Sequence, residues 1–359
     1  MLTSRRVVDS DKIWACLITN DSYLPGLLTL AFSLRRVGSK YPLVALHTGS
    51  LPDKTLDALS ARDIPLQRVP DLGPLPPPSS STSDGDGSND WYANDPRFRQ
   101  CFTKLAVFAL TGYARVVLLD ADMLVRRNMD ELFEIALDGE NRLFAAAHAC
   151  LCNPLHLAHY PRTWTPPNCA YTLQQQTNPD LAQTSGGPAA SGMGLLNGGL
   201  IVLSPSSRRA QNNNDNDNDV DDDDERGEEE EKEKQPEIYS QITAFLHDRT
   251  KATPARLPFA DQSLLSDLFR DRWVALPYVY NALKTLRWEA VHGGGRGIWR
   301  DENVKNVHYI LTPKPWELDD AQPVEEMEDG PDRWWREVDL ERRRWEAERG
   351  LDGDDEKNE

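Results

Sequence analysis

No apolar run in this chain approaches the roughly 18 residues needed to span a bilayer, so membrane insertion is not expected. The first eleven residues hold two arginines but no apolar h-region, which argues against a secretory leader. Basic residues are scarce: 40 Lys and Arg stand against 58 Asp and Glu, for a net charge of −18. No basic face argues for nucleic acid as a partner. Cysteine is scarce as well. The five present (Cys16, Cys101, Cys150, Cys152, Cys169) are odd in number and lack the spacing of a disulfide scaffold. Cys16 and Cys101 sit among apolar residues and read as buried thiols. Cys150-x-Cys152 has no second Cys or His pair at zinc spacing, which argues against a metal role. These absences together point to a reduced, cytoplasmic protein.

Hydrophobic residues make up only 39% of the 359 residues, so part of the length is not core. The charge shows where. Residues 211–234 carry 13 Asp and Glu against 3 Lys and Arg, and the remainder is ordinary for an enzyme. Residues 205–236 therefore read as a solvated, disordered insertion, and residues 73–90, rich in Pro, Ser, Asp and Gly, as a flexible loop. Residues 150–190, rich in Pro, Gln and Ser with scattered aromatics, read as an irregular, flexible excursion.

Between these segments strands and helices alternate. Residues 12–19, 43–47 and 66–69 read as strands, with helices at 24–37 and 53–61. Such alternation predicts an α/β fold, a mostly parallel Rossmann-like sheet flanked by helices. A helix at 102–111 precedes a strand at 115–119. A short helix starts at 130–133, and strands follow at 143–147 and 195–203. Helices are expected at 237–247 and 262–269, with strands at 273–276 and 304–310. One domain thus runs from 1 to 330. A Trp- and Arg-rich helix at 331–349 either lies back on that domain or packs on a partner, a homodimer being one such arrangement. Residues 350–359 form an acidic tail.

The most informative stretch is Val116-Val117-Leu118-Leu119-Asp120-Ala121-Asp122. Its apolar run reads as a buried parallel strand, and it ends on two carboxylates with a small residue between them. Open α/β sheets bind ligands at the carboxyl ends of their strands. Paired carboxylates there suit Mg²⁺ or Mn²⁺ bridging to substrate phosphates. Asp-x-Asp alone also reads as a solvated turn, so the case depends on the rest of the chain.

Six further segments agree in order: Thr19-Asn20-Asp21-x-Tyr23, Phe102-Thr103-Lys104-Leu105, Asn197-Gly198-Gly199, Asp261-Gln262, Leu276-Pro277-x-x-Tyr280-Asn281, and His308 with Lys314-Pro315-Trp316. With Asp120-Ala121-Asp122 they resemble the family 8 glycosyltransferases, the group holding glycogenin and galactinol synthase. The resemblance covers roughly residues 12–316 apart from the insertions. It implies a GT-A type nucleotide-sugar transferase fold and a UDP-sugar-dependent, retaining hexosyltransferase acting on a small-molecule or protein hydroxyl acceptor. It also implies a metal site of Asp120, Asp122 and His308. An Asp, Asp, His set suits Mn²⁺, with Mg²⁺ the alternative, because imidazole is softer than oxygen.

The resemblance further implies roles for single residues. Lys314 would steady charge on the departing diphosphate. Leu17, Thr19, Asn20, Tyr23 and Ala121 would hold the nucleoside and its phosphates, with Tyr23 stacking on the base. Asn197, Gly199 and Gln262 would face the sugar. Lys104 would contact the donor, and Asp261 would lie beneath the anomeric carbon as nucleophile or as electrostatic support. Each also has a plainer reading: Asp261 as a helix cap, Lys104 as an exposed helix charge, His308 as a core histidine.

Three departures stand out. Leu311 occupies the Gly position of His-x-x-Gly, where glycine permits close approach to phosphate, and implies a shifted loop or a correspondence slipped by one extra residue. Pro258 replaces an Asp of glycogenin. Trp288 stands in register with glycogenin's self-glucosylated tyrosine, so self-priming is not expected. The alternatives are a sugar-nucleotidyltransferase, disfavoured because no Gly-rich, basic loop follows the first strand, and a non-catalytic scaffold that keeps the transferase fold.

Overall fold

The computed structural model of the chain describes residues 5–74, 100–205, 237–248, 250–253, 255–292, 297–318 and 322–351. The expected flexible segments 73–90 and 205–236 and the acidic tail 350–359 lie outside the described residues, apart from their first one or two positions.

The chain opens with β1 (Lys12–Ile18), α1 (Leu24–Arg36), β2 (Leu43–His47), α2 (Asp53–Ala61) and β3 (Leu66–Arg68). The strands run parallel, as the alternation predicts. Next come β4 (Arg115–Leu119), β5 (Met123–Val125), β6 (Phe144–His148), α3 (Ala170–Thr177) and β7 (Leu196–Leu203). The last part holds α4 (Glu237–His247), α5 (Ala260–Leu268), β8 (Val274–Leu276), β9 (Ala282–Leu283), α6 (Glu289–His292), β10 (Asn306–His308) and α7 (Pro331–Ala347).

Seven strands form the main sheet in the order β3-β2-β1-β4-β7-β6-β8. It is parallel except for β7, which runs antiparallel to both β4 and β6. Both faces are covered, one by Phe102, Phe108, Phe144 and Leu264 and the other by Trp14, Leu27, Leu30 and Phe133. Val116 to Leu119 of β4 are wholly buried. Each such side chain contributes about 1.5–3 kcal/mol on leaving water, which is why this strand reads as a continuous apolar run.

A second, three-stranded sheet, β5-β10-β9, lies beside the carboxyl end of β4. Its antiparallel β5–β10 register pairs His308 with Met123. That pairing sets His308 next to Asp122 although 186 positions separate them in sequence.

The helices expected near 102–111 and 130–133 are present as 3-10 helices at residues 101–109 and 130–134. One segment differs from expectation. The segment 150–190, expected to be irregular, carries α3 and buries Cys169, Ala170 and Tyr171. Its aromatics do the ordering: Trp164 stacks on Phe259 at 4.3 Å and Tyr160 packs edge-on against both.

Helix α7 lies back on its own domain, one of the two arrangements open to it. Trp334, Trp335 and Val338 are buried, and Trp345 packs against Phe32 and Arg35. Wholly buried Arg342 bonds Asp339 at 2.8 Å and Glu346 at 2.7 Å, and Thr29 of α1 donates to the same Asp339 oxygen as Arg342. Among the described residues no helix is long and apolar enough to cross a membrane.

Candidate active site

In the strand order, β1 has β2 on one side and β4 on the other. A doubly wound sheet leaves a crevice where successive connections part to opposite sides. Two cavities open there. The first, of about 360 Å³, is lined by Leu17, Thr19, Asn20, Tyr23, Lys104, Asp120, Ala121 and Asp122 among others. The second, of about 350 Å³, shares Tyr23, Lys104, Asp120 and Asp122 with the first. It extends over Asn197, Gly199, Asp261, Gln262, His308 and Lys314 to a far wall that includes Leu155, Tyr160 and Trp164. Every site residue expected from the sequence lines one cavity or the other.

Where the cavities meet, His308 Nε2 lies 3.3 Å from Asp122 Oδ1 and 3.7 Å from Asp120 Oδ2. The three side chains each aim one ligand atom at a common point. His308 Nδ1 is engaged by Asn281 Oδ1 at 2.9 Å. The Asn281 amide is oriented in turn by donating to Asn197 Oδ1 at 2.9 Å, an oxygen that also accepts from Gly199 N. Asn281 therefore takes the Nδ1–H, which fixes the ring with Nε2 toward the carboxylates, the second-shell arrangement typical of ligating histidines. An octahedral ion with oxygen ligands at about 2.1 Å needs neighbours about 3.0 Å apart. The two histidine-to-carboxylate separations, 3.3 and 3.7 Å, lie a little above that spacing.

Two lysines balance the carboxylates. Lys314 Nζ is 2.5 Å from Asp122 Oδ2 and donates to Tyr309 O at 2.8 Å. Burial by itself would raise the Asp122 carboxyl, but the Lys314 ammonium and the His308 ring hold it far below the usual carboxylate range. Lys104 Nζ donates to both Asp120 oxygens, at 3.0 and 3.2 Å, and stands 3.4 Å from Asp261 Oδ2. Desolvation alone would lower its pKa, yet Asp120 and Asp261 raise it well above the ordinary lysine value.

Asp261 lies in the first turn of α5, after Ala260 in the left-handed region at φ 45°. It is a buried acid in a cavity wall rather than a solvated cap. Burial, opposed by Lys104 and aided by Asp120, pushes its carboxyl up to about 6. Gly198 makes room for it, since a Cβ there would lie 2.5 Å from Asp261 Oδ2.

Leu311, at the position of the family glycine, has φ 70°, so a leucine holds the left-handed conformation that glycine takes without strain. Its side chain lines the second cavity. Sequence reasoning missed Asn281 as the residue that orients His308, although its motif had been noticed. It also missed the wall residues Leu155, Tyr160 and Trp164, which local sequence marks only as scattered apolar positions.

Comparison with known structures shows that this sheet, with its acid–acid–histidine cluster at the switch point, has a GT-A glycosyltransferase fold. The chain superposes on the galactosyltransferase LgtC, solved with donor and acceptor sugar analogs, with a TM-score of 0.52 at 13% identity over 92% of this chain and 96% of that one. It matches the WbbM bifunctional glycosyltransferase with a TM-score of 0.50 at 16% identity, spanning 94% of this chain and about half (52%) of that longer chain.

Among characterised sequences the chain is 24% identical to Galactinol synthase 4 of Arabidopsis thaliana over 322 residues, 88% of this chain and 77% of that protein. It is 25% identical to Galactinol synthase 1 of the same plant over 336 residues, 92% and 79% of the two chains. No family model matches. The resemblance to the family 8 glycosyltransferases therefore extends along nearly the whole chain, beyond the short motifs that first carried it.

Proposed function

We propose that the protein is a Mn²⁺-dependent, retaining hexosyltransferase that moves glucose or galactose from a UDP-sugar to a hydroxyl acceptor. The observation that carries this reading is the convergence of Asp120, Asp122 and His308 Nε2 at the junction of two cavities, with Asn281 fixing the imidazole. A bound divalent ion would neutralise the donor diphosphate and its leaving-group charge.

The chain's own residues do the rest. The nucleoside lies in the first cavity, with Tyr23 against the base and Leu17, Thr19 and Asn20 along it. Lys314 exchanges part of its contact with Asp122 for the diphosphate and steadies charge as the C1–O bond breaks. The hexose faces Asn197, Gly199, Gln262 and Asp261 in the second cavity. Asp261, ionised, lies beneath C1 as the cationic character of the sugar grows, and Lys104 keeps it oriented. The acceptor oxygen approaches from the Leu155–Tyr160–Trp164 side, bonds to C1 on the face the diphosphate leaves, and gives its proton to the departing diphosphate. The second cavity as a whole, about 350 Å³, is of small-molecule size, and Trp288 stands in place of the tyrosine needed for self-priming. Both features favour a small polyhydroxy acceptor over the chain itself. Galactose is the first sugar to test, because the relatives are named galactinol synthases.

Calorimetric titration with UDP, with and without Mn²⁺, tests the donor site. Metal-dependent binding that is lost in His308→Ala, followed by turnover of UDP-galactose or UDP-glucose, is the expected result. Absence of UDP binding under both conditions would overturn it. A protein that binds no UDP with or without Mn²⁺ would favour the scaffold alternative instead.

A further inference from the structure

Away from the carboxylate site, three cysteines and a histidine close on one point. The Sγ atoms of Cys150, Cys152 and Cys169 lie 3.6, 3.4 and 3.7 Å from His292 Nε2. All four ligand atoms fall within 4.8 Å of one another. We propose that these residues form a structural zinc site of the Cys₃His type. A tetrahedral zinc with Zn–S near 2.3 Å and Zn–N near 2.0–2.1 Å separates sulfur from nitrogen by about 3.6 Å. The three measured separations scatter around that value.

The fold supplies the ligands from three separate places. Cys150 and Cys152 follow the end of β6, Cys169 immediately precedes α3, and His292 is the last residue of α6. Cys169 and His292 are buried, and Cys150 and Cys152 are partly so. The surroundings suit a metal. Thr172 Oγ1 lies 3.5 Å from His292 Nδ1 and can accept its proton, which leaves the Nε2 lone pair facing the sulfurs. Leu151 N donates to Cys169 Sγ at 3.5 Å, a contact that favours thiolate.

Hydrogen bonding to the imidazole does not explain the cluster. A neutral imidazole has one acceptor nitrogen with one lone pair, which satisfies one thiol and leaves the other two sulfurs with only each other and, for Cys152, Thr172 Oγ1 at 3.9 Å as acceptors. A disulfide would use two sulfurs and strand the third beside the histidine. A four-ligand protein site has no open position, so its role is structural rather than catalytic.

The consequence reaches the active site. Cys150 lines the second cavity, and residues 153–164 between the second and third cysteines supply its far wall. The ion would fasten that acceptor-side wall to α6, in addition to the packing of Tyr160 and Trp164 against Phe259.

Metal analysis of the full-length protein purified under reducing conditions tests this independently of the transferase reading. One zinc per chain is expected in the wild type and in Asp122→Asn, and none in Cys169→Ser. Cobalt substitution should give thiolate-to-cobalt charge-transfer absorption, which the Asp-Asp-His site cannot produce. X-ray absorption should show about three sulfurs and one nitrogen around zinc. Any folding failure of Cys169→Ser leaves the wild-type cobalt spectrum decisive. A wild-type protein that retains no zinc, gives no charge-transfer band with cobalt, or shows two of the three cysteines joined as a disulfide overturns the proposal.

Discussion

Gly199 and His308 are in contact: a Cβ on Gly199 would stand 2.3 Å from His308 Cε1 and 2.7 Å from its Nδ1. The backbone of β7 thus forms the floor on which the imidazole rests. Gly199→Ala must push the ring away from Asp122 or break its bond to Asn281. We expect Mn²⁺ affinity to fall about 10–100-fold, the usual cost of disturbing a ligand's support. The fold should be kept, as read by calorimetry beside circular dichroism. Unchanged metal affinity would refute the assignment of His308.

Asn281→Ala removes the acceptor for His308 Nδ1 without touching a proposed ligand. The ring is then free to flip or change tautomer, and Mn²⁺ affinity should again drop about 10–100-fold. Asn281→Asp, which still accepts the Nδ1 proton, should lose much less. Equal losses in both variants would mean that orientation is not what Asn281 supplies.

Asp261 titrates at about 6 in the fold against an ordinary 3.8. Between these values the folded chain holds the proton more tightly than the unfolded one. Stability therefore falls as pH rises from about 4 to about 6 and stays lower above that. Asp261→Asn should raise stability at pH 7–8 by up to about 3 kcal/mol, read by denaturant melts, while transfer activity is lost. In the wild type, activity should rise with pH through about 6 as the carboxylate forms. A variant less stable than wild type at pH 8 would contradict the buried-charge account.

Leu311→Gly tests whether the left-handed turn is strained. Relief of φ 70° in a leucine favours the variant by about 1–2 kcal/mol. The greater freedom of an unfolded glycine opposes it by a fraction of that. We expect an unchanged or slightly higher melting temperature and undiminished UDP affinity. Leu311→Val, β-branched at positive φ, should be destabilised instead. A large loss of UDP affinity in Leu311→Gly would show that the side chain, which lines the cavity, contacts the donor.

Arg342→Ala removes one of the two arginines on wholly buried Asp339, while Arg343 Nε still holds the other carboxylate oxygen at 2.8 Å. The cost is therefore below the roughly 3–5 kcal/mol of a buried ion pair stripped of its one partner. Denaturant unfolding should show that loss, with KM for the donor little changed at permissive temperature.

The sequence by itself determined the strands that carry the site. Val116 to Leu119 announce β4 because a strand covered on both faces must be apolar at every position, and Asp120 and Asp122 follow from where that run stops. Local sequence also places Asp261 at a helix start and Lys104 one turn into a helical segment. Tertiary structure alone decided which of these distant groups meet. The β5–β10 register sets His308 beside Asp122, and two glycines in β7 leave room for His308 and Asp261. The residues 150–190 show the same limit. Their Pro, Gln and Ser content reads as irregular chain, yet Trp164 on Phe259 and the gathering of Cys169 and His292 around Cys150 and Cys152 order them. Periodicity records which face of an element is buried. It holds no record of what lies against that face from 123 positions away, the sequence distance from Cys169 to His292.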